Sequence, residues 1–307
     1  MNASTTVQSD RVRRHTGETT RQKIDAATRQ NISRHATDQE SMSRRLAELE
    51  REWDIERTLE TNASTLALTG AVLGTAVNRK WFWLTGTVLT FLFQHATSGW
   101  CPPLPVLRAL KVRTQGEIDR ERYALKALRG DFAGISPGGL VIEPTLQALE
   151  QTENLRQGRR EPDRVRRYTS AARLRQLDAE MEQRVRLYAS QPSEAISDRI
   201  EELRREWGIE RYLQINIAAV GLTTLGLAVT KDRRWGYATC AALGMFLFHA
   251  VEGFDPPLPL LRARGVRTRA EIDREIYALK ILRGDFDDAI AADHSTRIAG
   301  TVRAVEL

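Results

Sequence analysis

His95, His249 and Cys101 are the residues whose chemistry and placement invite a function. The two histidines fall near the exit ends of two apolar stretches, 154 residues apart. An ionisable ring in a lipid-like setting marks a candidate site. If the two stretches pack about a common axis, the imidazoles could jointly ligate haem or a metal. The simpler chemistry is a hydrogen bond from each ring to a neighbouring helix or to interfacial water. Cys101 follows Trp100 and precedes two prolines. It is a candidate reactive or acylatable thiol, or else a small, partly buried packing residue. Cys240 lies deep in an apolar stretch and reads as packing. Glu252 and Asp255 stand near His249, but Ser98 matches Glu252 in the first half, which favours an exposed acid. The sequence has no Ser-His-Asp set, no paired acids in an apolar setting and no phosphate-binding glycine loop. It therefore predicts no enzyme, no bound cofactor and no metal.

These residues belong to a duplicated unit. Laid over itself with Trp53 on Trp207, the chain matches for about ninety residues. Glu50–Arg57 falls on Arg204–Arg211, and Pro102–Phe132 falls on Pro256–Phe286. Each copy carries two apolar islands joined by a short basic turn. Islands 62–77 and 81–100 flank Asn78-Arg79-Lys80; islands 215–230 and 235–251 flank Lys231-Asp232-Arg233-Arg234. Pro102-Pro103 and Pro256-Pro257 end the second island of each pair. Thr114 with Glu117, and Thr268 with Glu271, read as capping boxes, with Gly130 and Gly284 as left-handed caps. Ser41 or Ser43, and Ser193 or Ser197, are candidate caps for an amphipathic helix before each first island. No strand pattern persists.

The expected fold is all-α, with two tandem units, each an amphipathic helix, a transmembrane helical hairpin and a cytoplasmic amphipathic helix. The expected organisation is a polar, mostly disordered arm over 1–40 and a first unit over 41–132. A charged linker with a helix covers 133–191, the second unit 192–290, and a tail 291–307. That makes four spans. Tryptophan placement is the main argument for membrane insertion. Trp53, Trp81, Trp83, Trp100, Trp207 and Trp235 all border the islands, where indole prefers the membrane–water interface. Gly70 and Gly74 form a GxxxG that allows close helix packing, with Thr224 and Ala228 at the matching places. The alternative is a soluble helical homodimer that uses the hairpins as a buried core. A haem- or thiol-based redox membrane protein is a further alternative.

The chain has 46 Lys and Arg against 40 Asp and Glu, interleaved along helices without accompanying aromatics. That pattern predicts no nucleic-acid partner. Arg79 and Lys80 are the cations of the first turn, against Arg44, Arg45, Arg51, Arg57, Arg108, Lys111 and Arg113 on the other side. The second hairpin repeats the imbalance, which places both termini in the cytoplasm. The expected partners are the lipid bilayer, the other hairpin or another copy, and an unknown cytoplasmic protein.

Gly99-Trp-Cys101-Pro-Pro-Leu104, continuing to Leu107, with Arg79 at the polar turn, resembles the YgaP-like transmembrane domain family of bacterial inner membranes. The resemblance implies a two-helix hairpin that pairs with itself, here duplicated within one chain and placed in the inner membrane. Gly253-Phe-Asp255 departs from the pattern at the cysteine. Family members often carry a rhodanese domain; this sequence has no rhodanese loop, so sulfurtransferase activity is not carried over.

Overall fold

The computed structural model describes residues 10–132, 163–287 and 294–307, and their regular structure is all helical. The first half holds α1 (Arg11–Arg14), α2 (Glu18–His35), α3 (Gln39–Leu49), α4 (Ile55–Ala76), α5 (Phe82–Ser98), α6 (Leu104–Ala109) and α7 (Gln115–Arg129). The second holds α8 (Arg164–Arg167), α9 (Ala171–Ala189), α10 (Ser193–Arg205), α11 (Ile209–Thr230), α12 (Trp235–Glu252), α13 (Leu258–Ala263) and α14 (Arg269–Arg283). Helix α15 (His294–Glu306) follows.

Residues 10–40 are not a disordered arm. Asp10 caps α1 by accepting from the Val12 and Arg13 amides, and Asp163 caps α8 in the same way. Asp10-Arg-Val-Arg-Arg-His-Thr16 returns as Asp163-Arg-Val-Arg-Arg-Tyr-Thr169, so the corresponding elements start at Asp10 and Asp163. The expected linker therefore contributes α8 and α9 to the second half, residues 133–162 lying outside the described residues. The tail is helical from His294. Asp38 caps α3 in place of Ser41 or Ser43, accepting from the Ser41 amide. Helix α10 begins at Ser193 without a side-chain cap.

Helices α4, α5, α11 and α12 form a four-helix bundle in which α4 packs on α5 and α12, and α11 packs on the same two. Its centre is apolar: Ala67, Ala71, Leu89, Ile217, Leu243 and Phe246. Gly70 and Gly74 both lie on the face of α4 that α5 crosses. A Cβ at Gly70 would come within 2.7 Å of Thr85 Oγ1, and one at Gly74 would strike the Phe82 ring. That approach lets the Thr85 hydroxyl donate to the Ala67 carbonyl at 3.0 Å. In the second hairpin Thr239 donates to the Thr224 hydroxyl at 2.9 Å.

A helical platform sits at the open end of the hairpins. Both capping boxes form, and Gly130 and Gly284 adopt φ of 89° and 85°. Tyr123 stacks on Tyr277 with ring centroids 3.9 Å apart, and Phe132 meets Phe286 edge-on. Each pair consists of matching residues, so the two halves are related by an approximate two-fold axis through the platform. Ten of fifteen residues are buried in each of α7 and α14. That burial explains why the two halves match most densely there, and it leaves these helices little free face for a partner.

Among the described residues, one stretch, Ser193–Thr230, is long and apolar enough to cross a membrane by length and composition. The other expected spans fall short by that measure. The first turns of α4 carry Glu56, Arg57 and Glu60, α5 has 17 residues, and α12 includes His249 and Glu252.

Candidate functional site

The bundle closes on the platform side with charged groups whose positions follow from two chain reversals. Gly99 and Gly253 end α5 and α12 with φ of 83° and 95°. A glycine is required at Gly99 for space as well as for conformation, because a Cβ there would lie 2.7 Å from the Arg11 side chain. The last carbonyls of α5 accept from two arginines. Arg11 reaches His95 and Ala96 at 2.7 Å, and Arg211 reaches Ala96 and Thr97. Arg164 and Arg57 grip the end of α12 in the same way. Guanidinium charge is favourable at a helix C-terminus, where carbonyls lack partners. Two of these four contacts cross between the halves, so the hairpins are fastened to each other as well as to the platform.

His95 lies directly inside this ring of arginines. It is buried, and its Nε2 donates to Glu56 at 3.0 Å. Glu56 also accepts from Arg11 at 2.9 Å and Gln214 at 2.8 Å. Gln214 reaches Glu60 at 3.2 Å, and Glu60 accepts from Arg164 at 2.9 Å. Gln214 and Glu60 hold matching places, so the amide replaces a second carboxylate where two would have met near the axis. Arg11, Glu56, His95, Gln214, Glu60 and Arg164 thus form one network, fully buried at His95, Gln214 and Glu60 and partly open at Arg11, Glu56 and Arg164.

His249 has no equivalent partner. It is fully buried, and neither ring nitrogen makes a hydrogen bond among the described residues. The reason lies at the start of α11. Asp54 caps α4, but its counterpart is Gly208, which has no side chain to offer. Glu210, the counterpart of Glu56, turns back over Gly208 and so leaves the imidazole. No group of three or more His, Cys, Asp or Glu side chains is arranged to hold a metal among the described residues.

Cys101 is a neighbour of the His95 ring and is packed with Val12, Ile55, Leu59 and Leu104. It is 2% exposed. Maleimide added to the native protein is therefore expected to leave Cys101 unmodified until the chain is unfolded; intact-mass labelling at an equal rate in both states would show the thiol to be open. At the matching place Asp255 is also buried, and burial pushes its carboxyl up to about 6.

The six tryptophans fall at the two ends of the bundle. Trp81, Trp83 and Trp235 are exposed at the hairpin tips. At the platform end Trp53 and Trp207 lie under Arg57 and Arg211, 4.0 and 3.6 Å from the guanidinium carbons, and Trp100 packs on the Cys101 cluster.

A cleft of about 680 Å³ separates the bundle from the platform, with Arg11, Glu56, Glu210, Arg211, Tyr277 and Lys280 in its lining. A second, of about 180 Å³, lies on the other side of the axis and shares Asp54, Gln115, Glu210 and Arg269 with the first. The network therefore borders a charged cleft through Glu56. Sequence reasoning found the two histidines but missed Arg11, Glu56, Glu60, Gln214 and Arg164. Their signal was the charge directly before the first islands and the repeated Asp-Arg-Val-Arg-Arg. Comparison with protein-family models, curated proteins and solved structures gave no match.

Proposed function

We propose that this chain is a non-enzymatic integral protein of the bacterial inner membrane, a four-span bundle carried on a cytoplasmic helical platform. The observation that carries the reading is the outer surface of the bundle. Residues 62–77, 81–100, 215–230 and 235–251 contain no Asp, Glu, Lys or Arg. Leu66, Val72, Phe93, Val220, Val229 and Phe248 are exposed on them. The exposed hydroxyls of Thr65, Thr69, Thr90, Thr223 and Thr230 donate to the carbonyl one turn earlier. Such back-bonding satisfies a hydroxyl without water.

The hairpin tips carry Arg79, Lys80, Lys231, Arg233 and Arg234, fewer cations than the opposite end, which supports cytoplasmic termini. In this reading the chain resembles two YgaP-like hairpins fused as a pair. Its work is assembly, holding a cytoplasmic partner at the membrane on the outer platform helices. Carbonate washing of membranes containing the full chain tests insertion: retention in the pellet is expected. Release into the supernatant would sink the proposal and return the soluble dimer, with the apolar outer faces buried between copies.

A further inference from the structure

Helices α6 and α13 have two unlike sides. Inward, Leu104 and Leu258 are completely buried, and Arg108 and Arg262 are nearly so. Outward, Val106, Leu110 and Leu260 are 61%, 71% and 56% exposed, beside the exposed Pro102, Pro105 and Pro259. Val106 and Leu260 hold matching places, so the same position is left apolar and uncovered twice.

The location of these helices is fixed. The Ile55 amide donates to the Arg113 carbonyl at 2.8 Å and the Ile209 amide to that of Arg267 at 2.9 Å. Those bonds tie the loop after each short helix to the first residue of α4 or α11. Both helices therefore sit beside the charged first turns of the bundle, at the level of Trp53 and Trp207.

Each short helix also ends in an exposed cation. In the first half it is Lys111, the one non-glycine residue at positive φ among the described residues, at 64°. An L-residue is disfavoured there, and the matching residue is Gly265 at 83°. In the second half the cation is Arg264, one step earlier, in the place of Leu110. Neither is paired with a carboxylate among the described residues.

We infer that α6 and α13 are feet that lie in the headgroup layer of an anionic phospholipid bilayer. Val106, Leu110 and Leu260 enter the acyl boundary while Lys111 and Arg264 meet lipid phosphates. The inference rests on the four-span reading, because a bilayer around the uncharged bundle surface would reach its headgroup layer at the level of these faces, which selects lipid as the occupant.

The test uses the full chain with Cys101→Ala and Cys240→Ala, a single bimane-labelled cysteine at Val106, Leu260 or Val72, and phosphatidylcholine vesicles with or without phosphatidylglycerol. Val72, exposed on α4, reports bundle insertion. Probes at 106 and 260 are expected to be quenched by nitroxides near the headgroup. Anionic spin-labelled lipid should be enriched there about fivefold over zwitterionic lipid. Lys111→Glu with Arg264→Glu should abolish that preference. Quenching at 72 but not at 106 and 260 would refute the feet and leave the bundle in the membrane, with the apolar face open to a protein. No quenching at 72 would remove the four-span reading itself. Equal quenching by both lipids would overturn the anionic preference.

Discussion

Glu117→Ala is expected to cost the folded chain about 3–5 kcal/mol, the range found when one partner of a buried ion pair is removed. Glu117 is 2% exposed. It takes both terminal guanidinium nitrogens of Arg108, at 2.8 and 2.7 Å, and a third donor from Arg13 at 2.6 Å. It also closes the capping box of α7 by accepting from the Thr114 amide at 2.9 Å. Alanine would leave Arg108, itself 2% exposed, with only the Thr16 hydroxyl and the Val112 carbonyl. Glu117→Gln retains the shape and a cap acceptor, so its loss should be smaller. Glu271→Ala is expected to act similarly, because Arg262 and Arg166 repeat the arrangement.

The pH dependence follows from the same contacts. Burial opposes ionisation of Glu117, but Arg108 and Arg13 outweigh it and hold the carboxyl at about 2, against an ordinary 4.5. A depressed folded-state value contributes stability above pH 4.5 and loses it as pH falls toward 2. Denaturant midpoints in detergent, measured at neutral pH and across that acid range, decide the matter. An alanine variant as stable as the parent, or one with the parent's acid slope, would refute the network's role.

Much of this architecture could be read from local rules. Thr114 with Glu117 and Thr268 with Glu271 named the starts of α7 and α14, and Gly130 and Gly284 their ends, since capping and left-handed turns depend on neighbouring residues alone. The apolar islands and the basic turn at Asn78-Arg79-Lys80 outlined the hairpin helices for the same reason. The first forty residues misled because their helices bury few side chains, Val12, Ile24 and Ile32 among them. They are held instead by long-range charge, as between Arg13 and Glu117, which a polar composition conceals. Within the candidate site, the histidines were visible as exceptions in apolar runs. Their partners were not, because Glu56 and Arg164 approach from segments far apart in the chain. The unlike fates of His95 and His249 turn on Asp54 against Gly208, a cap substitution whose consequence appears only once Glu210 is placed.

Lys126→Met is expected to stabilise the chain at pH 7, by on the order of 3 kcal/mol, and to flatten its stability profile above that pH. Lys126 is 5% exposed on α7, with its ammonium 4.9 Å from the Tyr123 ring and no carboxylate paired with it among the described residues. Burial pushes its amine down to about 7 from an ordinary 10.5, and Arg122 adds to the effect. Lys280, at the matching place, is also shifted down by burial, but its ammonium donates to the Ala304 and Val305 carbonyls at the end of α15. Lys126 thus carries the burial cost without that return. Below pH 7 the amine is protonated in both states and the cost is felt in full. Between 7 and 10.5 the unfolded chain holds the extra proton, so stability rises with pH. Methionine has similar length and no charge, which removes the cost while retaining the packing under the stacked tyrosines. The parent should therefore gain stability between pH 7 and 10 by more than the variant, which lacks the share due to Lys126. Denaturant midpoints at several pH values measure that difference. Parallel profiles would show that Lys126 is already solvated in the folded chain.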